Sequence, residues 1–322
     1  MIRTVLSRRE FQHRPPVLVD IGSSSGVHVG WRELAPFSIC LAFDPDDREM
    51  TAVQRQSSEY RHLHVFPFAV SDQQVANADL YLTKSPACSS LLRPRPDKLT
   101  DYEFSDRFTI VGQRSVPMRD LKSILASVNL DRVDWFKSDS QGTDLRLFSS
   151  LDPKLAQRIM VAELEPGIID AYDGEDKLWQ VLAYMEKSGF WLSRMQIKGS
   201  QRFNRSEIEG LTQMERRYFV HFLKSAPGWA EVTYLNSFLS AEMDLRDHLL
   251  GWVCAMASAE YGFAAQLATR AQRRFEDAIF QDLRKHALSK IRNACTSIPA
   301  WFPVLVRAVR KWRRMHANRS LA

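Results

Sequence analysis

Short apolar runs alternate with amphipathic segments over the first two-thirds of the chain. Five of these runs have the length and apolar content of buried strands: residues 17–20, 39–43, 63–70, 133–137 and 159–162. Helical periodicity falls between them at residues 118–129 and 176–188, and Gly189 follows the second segment as a C-terminal cap. The alternation predicts an α/β fold with a parallel sheet covered by helices on both faces.

The pattern changes in the last third of the chain. Residues 190–197 and 217–223 are β-rich with no convincing helix between them, which predicts an antiparallel pair at a sheet edge. Ala226-Pro227-Gly228 breaks the pattern, and the helical stretches that follow are residues 236–250, 252–290 and 299 onward. We therefore predict an α/β domain at residues 1–225 and a basic α-helical extension at residues 226–322.

Composition and cysteine usage are those of an ordinary globular protein, with 45% hydrophobic and 25% charged residues. The four cysteines are far apart in sequence, without metal-ligand spacing: Cys40, Cys88, Cys254 and Cys295. The first residues lack the apolar segment of a signal peptide, and no apolar run is long enough to span a membrane. We expect a cytoplasmic protein without a structural metal, at most peripheral to a membrane.

Positive charge is concentrated at the end of the chain. From Arg270 onward there are thirteen basic and three acidic residues, so this part carries +10 although the whole chain carries +6. Within it, an apolar stripe follows helical spacing: Trp301, Leu305, Ala308, Val309 and Trp312. Three interpretations are open: packing on the domain or a partner subunit, contact with an anionic membrane surface, and, least favoured, nucleic-acid binding.

Small residues follow the first predicted strand, and a carboxylate ends the second. The turn begins at Asp20 and contains Gly22, Ser23, Ser24 and Gly26. Glycines allow a ligand to lie against bare backbone, and the next helix presents free N–H groups. Asp44, before Pro45, stands where a carboxylate accepts hydrogen bonds from ribose hydroxyls. A tight chain connection would explain the small-residue turn alone, and ordinary turn chemistry would explain Asp44 alone. The two features together favour a nucleoside-binding site.

The turn also limits which nucleoside derivative fits. It lacks the glycine spacing of a pyrophosphate-binding loop, and the chain has no phosphate loop of the G-K-[ST] type. Asp20 would repel phosphates, whereas a carboxylate suits the cationic amino acid end of S-adenosylmethionine. The sequence therefore favours an adenosyl ligand without phosphates.

Several motifs, taken in order, resemble the FkbM family of methyltransferases. They are Asp20-Ile21-Gly22-Ser23-Ser24-Ser25-Gly26, Ala42-Phe43-Asp44-Pro45, Phe68-Ala69-Val70-Ser71-Asp72, Ser89-Ser90-Leu91, residues 135–142 and residues 161–165. The resemblance covers about residues 16–224. It implies a Rossmann-like class I methyltransferase sheet of seven strands with the last antiparallel, S-adenosylmethionine as cofactor, and O-methylation of sugars or polyketide-type hydroxyls.

Two positions depart from the family pattern. Gln141 stands where the family usually has an acid, which removes a candidate base or metal ligand. Asp44 is one methylene shorter than the usual glutamate, a change that a small shift of the ligand accommodates.

Three carboxylates are candidates for the chemistry. Asp139, after the fourth strand, is placed to orient the donor or act as base, although it could instead cap the following helix. Glu163 and Glu165 share one face of the fifth strand and could line an acceptor pocket or lie solvated at its edge. His28 is close enough in sequence to reach the cofactor but is also typical of a surface residue.

The polar stretch at residues 85–106 is long for a loop, and we expect it to face the substrate rather than to be a plain surface excursion. The favoured function is an S-adenosylmethionine-dependent O-methyltransferase acting on a saccharide or another small hydroxylated metabolite. The alternatives are a non-catalytic S-adenosylmethionine-binding scaffold in glycan assembly and an RNA methyltransferase that uses the basic tail. The sequence leaves the oligomeric state open.

Overall fold

The protein combines a seven-stranded, mostly parallel sheet with helices on both faces. The structure, a computed structural model, describes residues 1–23, 28–46, 57–73, 75–222 and 224–296. Its strands are β1 (Val17–Ile21), β2 (Ile39–Phe43), β3 (His62–Phe66), β4 (Ala69–Ser71), β5 (Asn77–Thr83), β6 (Ile110–Asp120), β7 (Trp135–Ser138), β8 (Val161–Leu164), β9 (Phe190–Ser200) and β10 (Ala226–Asn236).

The helices of the described residues surround this sheet. They are α1 (Ile2–Leu6), α2 (Arg9–His13), α3 (Pro96–Leu99), α4 (Leu121–Ser127), α5 (Asp144–Ser149), α6 (Pro153–Ala156), α7 (Leu178–Lys187), α8 (Gln213–Phe222), α9 (Leu245–Ala257), α10 (Tyr261–Phe275) and α11 (Ile279–Thr296). No helix in the described ranges is long and apolar enough to cross a membrane.

Strand order places a topological switch at the centre of the large sheet. Within the described residues that order is β3-β2-β1-β7-β8-β10-β9, with β1, β2, β3, β7 and β8 parallel and β10 antiparallel to both of its neighbours. The chain builds outward from β1 to β3 and then crosses to β7 on the other side of β1. Ligands of open α/β sheets bind at such a switch, outside the carboxyl ends of the strands.

The buried strands and capped helices follow directly from the sequence. All five side chains of β1 are buried, as expected for a central parallel strand with apolar neighbours on both faces. Helix α7 ends at Lys187, and Gly189 adopts the left-handed conformation (φ +80°) typical of the residue after a helix. These elements confirm the predicted α/β architecture.

Several sequence predictions of local structure are wrong or displaced, among them the helix at residues 236–250, which begins only at Leu245. The predicted strand at residues 217–223 lies mostly within helix α8, and the partner of β9 is β10. The predicted third strand divides at Pro67 into β3, in the large sheet, and β4, in a three-stranded sheet with β5 and β6. The predicted helix at residues 252–290 is interrupted at Ala259 and Glu276, which both have positive φ.

The structure also moves the predicted domain boundary. Strand β10 begins at Ala226 and lies inside the sheet, so the α/β unit extends beyond residue 225 to at least Asn236. Helices α9, α10 and α11 then share one core with α1 and one face of the sheet, including Leu6, Leu18, Trp252 and Leu283. The helices up to residue 296 therefore cover a sheet face rather than forming a separate extension. The apolar stripe after Pro299 lies outside the described residues.

The second core lies on the opposite face of the sheet. There, Val19, Phe43 and Phe136 pack against helices α4 and α7 through Leu125 and Val181. Because parallel strands end at the same edge of a sheet, the polar side chains at the carboxyl ends of β1, β2, β7 and β8 meet at one rim. The candidate site lies at this rim.

Candidate functional site

The turn after β1 brings the chain against the end of β7. Gly22 has φ +77°, and a Cβ there would lie 2.2 Å from the carbonyl oxygen of Asp139. The Gly22 N–H donates to the carbonyl of Phe43 at 2.8 Å, and Asp139 N–H donates to Ile21 at 3.0 Å. Glycine is therefore required both for its backbone conformation and for this close approach.

A cavity opens at the switch point between these strand ends. We call it the switch-point cavity, and Gly22, Asp44, Pro45, Ala69, Val70 and Asp139 contribute to its lining. Asp44 is buried and accepts a hydrogen bond from the N–H of Asp46 at 2.7 Å. The structure thus brings the predicted glycine turn and the predicted ribose-binding carboxylate to one cavity.

Other predicted binding residues have different positions. Ser23 is buried, and its N–H donates to Phe43 at 3.1 Å. Ser24 and Gly26 lie outside the described residues. Asp20 forms an ion pair of 2.7 Å with Lys137. Its neighbour in the strand register is Lys137, so the pair lies across β1 and β7 on the face of the sheet that carries Leu18.

A charged cluster continues from this pair onto β8. Glu163 lies beside Lys137 in the register, accepts a hydrogen bond from Trp135 Nε1 at 3.0 Å, and lies 3.3 Å from His28 Nε2. Burial opposes the charge of Lys137, but the attraction of Asp20 and Asp139 outweighs it and raises the pKa of the ammonium. For Glu163, in contrast, burial itself raises the pKa, because it disfavours the charged carboxylate.

This cluster lines a second cavity, which we call the charged cavity. Its wall includes His28, Lys137, Asp139, Glu163, Glu165 and Arg194. Glu163 and Glu165 thus line one cavity, while their predicted role at an acceptor site stays a prediction. The sequence prediction gave no role to Lys137, although its position opposite Asp20 could have been read from the parallel pairing of the two strands.

Glu165 and Asp139 form a carboxyl pair at the rim. Burial, together with the neighbouring charge of Asp139 and a hydrogen bond to it, raises the pKa of Glu165 to about 10. Trp229 Nε1 donates to Glu165 Oε1 at 2.8 Å and fixes the carboxyl group. At neutral pH Glu165 therefore keeps its proton.

Gln141 holds Asp139 from the other side. Its Nε2 donates to Asp139 Oδ1 at 2.5 Å, and its Oε1 lies 2.8 Å from the hydroxyl of Tyr172. The backbone of Gln141 is left-handed (φ +57°), and its carbonyl accepts a hydrogen bond from Ser90 at 2.7 Å. An acid at this position would repel Asp139, whereas the amide donates to it. The glutamine thus holds the Asp139 carboxylate in place by a donated hydrogen bond.

Asp144 organises the loop that carries these residues. Its carboxylate accepts hydrogen bonds from Ser138 at 2.6 Å and from the N–H of Glu165 at 2.7 Å. It also accepts from the N–H of Ser140 at 2.9 Å. Burial raises the pKa of Asp144 in spite of these donors. The N-cap of α5 is Thr143, without a side-chain cap hydrogen bond, so Asp139 does not cap this helix as one interpretation of the sequence allowed.

A third cavity, which we call the aromatic cavity, adjoins the switch-point cavity. Its lining includes Phe104, Phe108, Tyr172 and Trp229, and it shares Ala87, Asp139 and Gln141 with the switch-point cavity. The predicted substrate-facing stretch at residues 85–106 contributes to both cavities, and within it lie helix α3 and short 3₁₀ turns. Asp139 is thus common to all three cavities. Within the described residues, no group of three or more acidic, histidine or cysteine side chains is arranged to hold a metal ion.

Comparisons with protein-family models, curated proteins and solved structures found no match to this chain. The class that the fold itself defines is an α/β protein with a Rossmann-like sheet and C-terminal helices. The resemblance to FkbM methyltransferases therefore enters below as part of a proposal.

Proposed function

We propose that this chain binds S-adenosylmethionine in the switch-point cavity and transfers its methyl group to a hydroxyl of a saccharide or another small hydroxylated metabolite. The observation that carries the proposal is that Asp44 and Gly22 line the same cavity, with Asp139 beside them. A ribose-binding carboxylate and a glycine turn at a topological switch are the features expected of a nucleoside site.

The charge of this cavity favours a cationic adenosyl ligand over a nucleotide. Among the described residues, its lining contains three acids (Asp44, Asp46 and Asp139) and no lysine, arginine or histidine. Phosphates need cationic or N–H donors, and the described lining offers no cationic side chain. A sulfonium is attracted by the same carboxylates, while Phe68 and Leu80 offer an apolar wall for a base.

The fold supports the same proposal. A seven-stranded sheet with its last strand antiparallel is the arrangement that the resemblance to FkbM methyltransferases implies, and it is the one observed here. Asp20 supports it less directly, because its carboxylate already pairs with Lys137. We therefore assign Asp20 to the charged cluster, where it neutralises Lys137, rather than to direct contact with the amino acid end of the ligand.

The carboxyl pair supplies the proton chemistry. S-adenosylmethionine, when bound, supplies a methyl group on a sulfonium, so that a C–O bond forms as the C–S bond breaks and its electron pair stays on sulfur. Asp139 is placed to accept the proton that the acceptor hydroxyl loses. Gln141 and Glu165 hold its carboxylate in position, which suits a reaction that depends mainly on alignment and on a positioned base.

Isothermal titration calorimetry with S-adenosylmethionine tests the proposal. We expect Asp44→Ala to weaken binding by about tenfold or more, because hydrogen bonds to a charged group contribute about 1.5–3 kcal/mol each. Asp79→Ala, which removes an exposed carboxylate from β5, serves as the charge-matched control and should bind like the wild type. A folded wild-type sample that releases no heat of binding would refute the proposal.

A second candidate is a binding scaffold without catalysis, which the glutamine at position 141 favours because it removes one possible base. In that case calorimetry would show binding of S-adenosylmethionine, but no labelled methyl group would pass to any acceptor fraction of a cell extract. Transfer to one fraction would exclude the scaffold.

A further inference from the structure

The aromatic cavity is lined by aromatic side chains, carboxyl groups and one guanidinium, and each of these restricts the ligand that it can bind. It measures about 340 Å³, which is at the lower end of small-molecule pockets and suits a ligand of one ring. It opens beside the switch-point cavity, with Asp139 and Gln141 in both linings. Under the proposed function, on which this inference rests, a molecule in this cavity reaches the methyl donor.

The side walls are aromatic. Phe104 and Trp229 pack edge to face with ring centroids 6.1 Å apart, and Phe108 lies 5.6 Å from the ring of Tyr172. Together with Ile169 they present apolar surface toward the cavity. Such surfaces bind ring faces that carry C–H groups or π electrons, and they leave the polar edge of a ligand to other partners.

The polar part of the lining contains one guanidinium, Arg107, and the carboxyl groups of Glu103, Asp139, Glu165 and Glu175. Glu175 pairs with Lys177 at 2.7 Å, and Glu103 accepts a hydrogen bond from Ser200 at 3.4 Å. Trp229 Nε1 donates to Glu165, which leaves Asp139 as the acceptor for a hydroxyl proton. Arg107 is the only lysine or arginine among the described lining residues, and it is exposed. No ion pair or side-chain hydrogen bond joins its guanidinium to another residue of the described chain. A guanidinium that has no such partner within the described chain is suited to a carboxylate or phosphate.

We propose that the aromatic cavity is the acceptor site and that its ligand is a single-ring compound that carries both a hydroxyl and an acidic group. The ring faces lie against Phe104, Phe108 and Trp229, the acidic group binds Arg107, and the hydroxyl points to Asp139. In the transfer, the hydroxyl oxygen bonds to the methyl carbon, the C–S electron pair goes to sulfur, and the hydroxyl proton goes to Asp139. A phenolic acid and a sugar acid share this chemistry.

Binding of two matched pairs of ring compounds tests the inference without the methyl donor. Saturation-transfer NMR on the full chain would measure the affinity of 4-hydroxybenzoate against 4-hydroxybenzyl alcohol, and of D-glucuronate against D-glucose. We expect the acid of at least one pair to bind about fivefold more tightly than its neutral partner, as an exposed ion pair allows. Which acid is preferred identifies the ring as phenolic or saccharide. Equal affinities within both pairs, or no binding of either acid, would overturn the inference.

Arg107→Ala connects the preference to this cavity. We expect it to remove the preference for the acid and to leave the calorimetric affinity for S-adenosylmethionine unchanged. Arg93→Ala removes another exposed arginine, which does not belong to the described lining of the cavity, and should keep the preference. A preference that survives Arg107→Ala contradicts the inference alone, whereas a wild type that fails to bind S-adenosylmethionine contradicts the proposed function alone.

Discussion

At the scale of single residues, the carboxyl pair of Asp139 and Glu165 combines a stability cost with a chemical use. Two carboxyl groups this close cannot both ionise cheaply, so the folded chain retains a proton on Glu165 that the unfolded chain releases. Trp229 and Gln141 hold the two groups in place through their side-chain N–H donors. Because the pKa of Glu165 differs between the folded and unfolded chain, the free energy of unfolding depends on pH.

Glu165→Gln should stabilise the protein at high pH. The pKa of Glu165 rises from an ordinary 4.5 to about 10 on folding, so the folded state binds the proton more tightly and stability falls as pH increases between these values. The amide keeps a neutral donor toward Asp139 and an acceptor for Trp229. We expect the variant to gain roughly 1–3 kcal/mol relative to the wild type between pH 5 and pH 9, measured by urea denaturation.

The control for this experiment is Glu242→Gln, the same change at an exposed position. Its stability should follow the wild-type curve over the same pH range. If Glu165→Gln also follows the wild-type curve, Glu165 titrates normally and holds no proton at neutral pH.

The site residues differ in how far sequence could predict them. Gly22, Asp44 and Asp139 follow strands whose ends are readable, and they meet at one cavity because parallel strands end at one rim. Tyr172 and Trp229 reach the same place from a distant loop and an antiparallel strand, and no local pattern marks them. Their role depends on tertiary packing, which periodicity does not encode.

At the scale of elements, the turn after β1 is the most constrained connection of the site. Gly22 combines a positive φ with a contact that leaves no space for a side chain. Gly189, after helix α7, shares the positive φ (+80°) but has open space around the position of a Cβ. Substitution of these two glycines therefore distinguishes the free-energy cost of a left-handed backbone from the cost of a steric clash.

Gly22→Ala should destabilise the protein by at least about 3 kcal/mol, because left-handed strain and a clash with the Asp139 carbonyl add together. Gly189→Ala should cost about 1 kcal/mol, from the conformation alone. Thermal unfolding of both variants measures the difference. Equal losses of stability in the two variants would show that the backbone of the turn shifts at little cost. The close approach of β1 to Asp139 would then not be required.

The misread elements lie where two local signals conflict. Residues 217–223 are β-rich, yet Thr212 and Glu215 cap the start of a helix, with Glu215 accepting the N–H of Thr212 at 2.7 Å. The cap was the stronger signal, as a capping box often is. Pro227 and Gly228 looked like a break, but they lie at an irregularity near the start of β10, where such residues are tolerated.

At the scale of the whole molecule, a buried ion pair attaches the C-terminal helices to the sheet. Arg246, at the start of α9, donates from both terminal nitrogens to Asp134 at 2.9 and 2.8 Å. Asp134 also accepts the N–H of Val17 at 2.8 Å, at the beginning of β1. Both side chains are buried, at 3% and 5% exposure. The helices are thus held to the central strands by polar contacts as well as by the apolar core.

Arg246→Ala should destabilise the protein by about 3–5 kcal/mol, because it leaves the Asp134 carboxylate buried without its cation. The half-exposed pair of Lys198 and Glu231 is the matched comparison, and Lys198→Ala should cost at most about 1 kcal/mol. Chemical denaturation provides both values. A loss as small for Arg246→Ala as for Lys198→Ala would mean that water replaces the guanidinium at Asp134.

The core that joins Leu6 and Leu18 to Trp252 and Leu283 has a consequence for biosynthesis. A ribosome makes the sheet strands first, and the helices that shield one of their faces emerge only after residue 244. During that interval an apolar sheet face lacks its native cover, a condition that favours aggregation or chaperone capture. We therefore expect the nascent chain to be most prone to aggregation before α9, α10 and α11 have been synthesised.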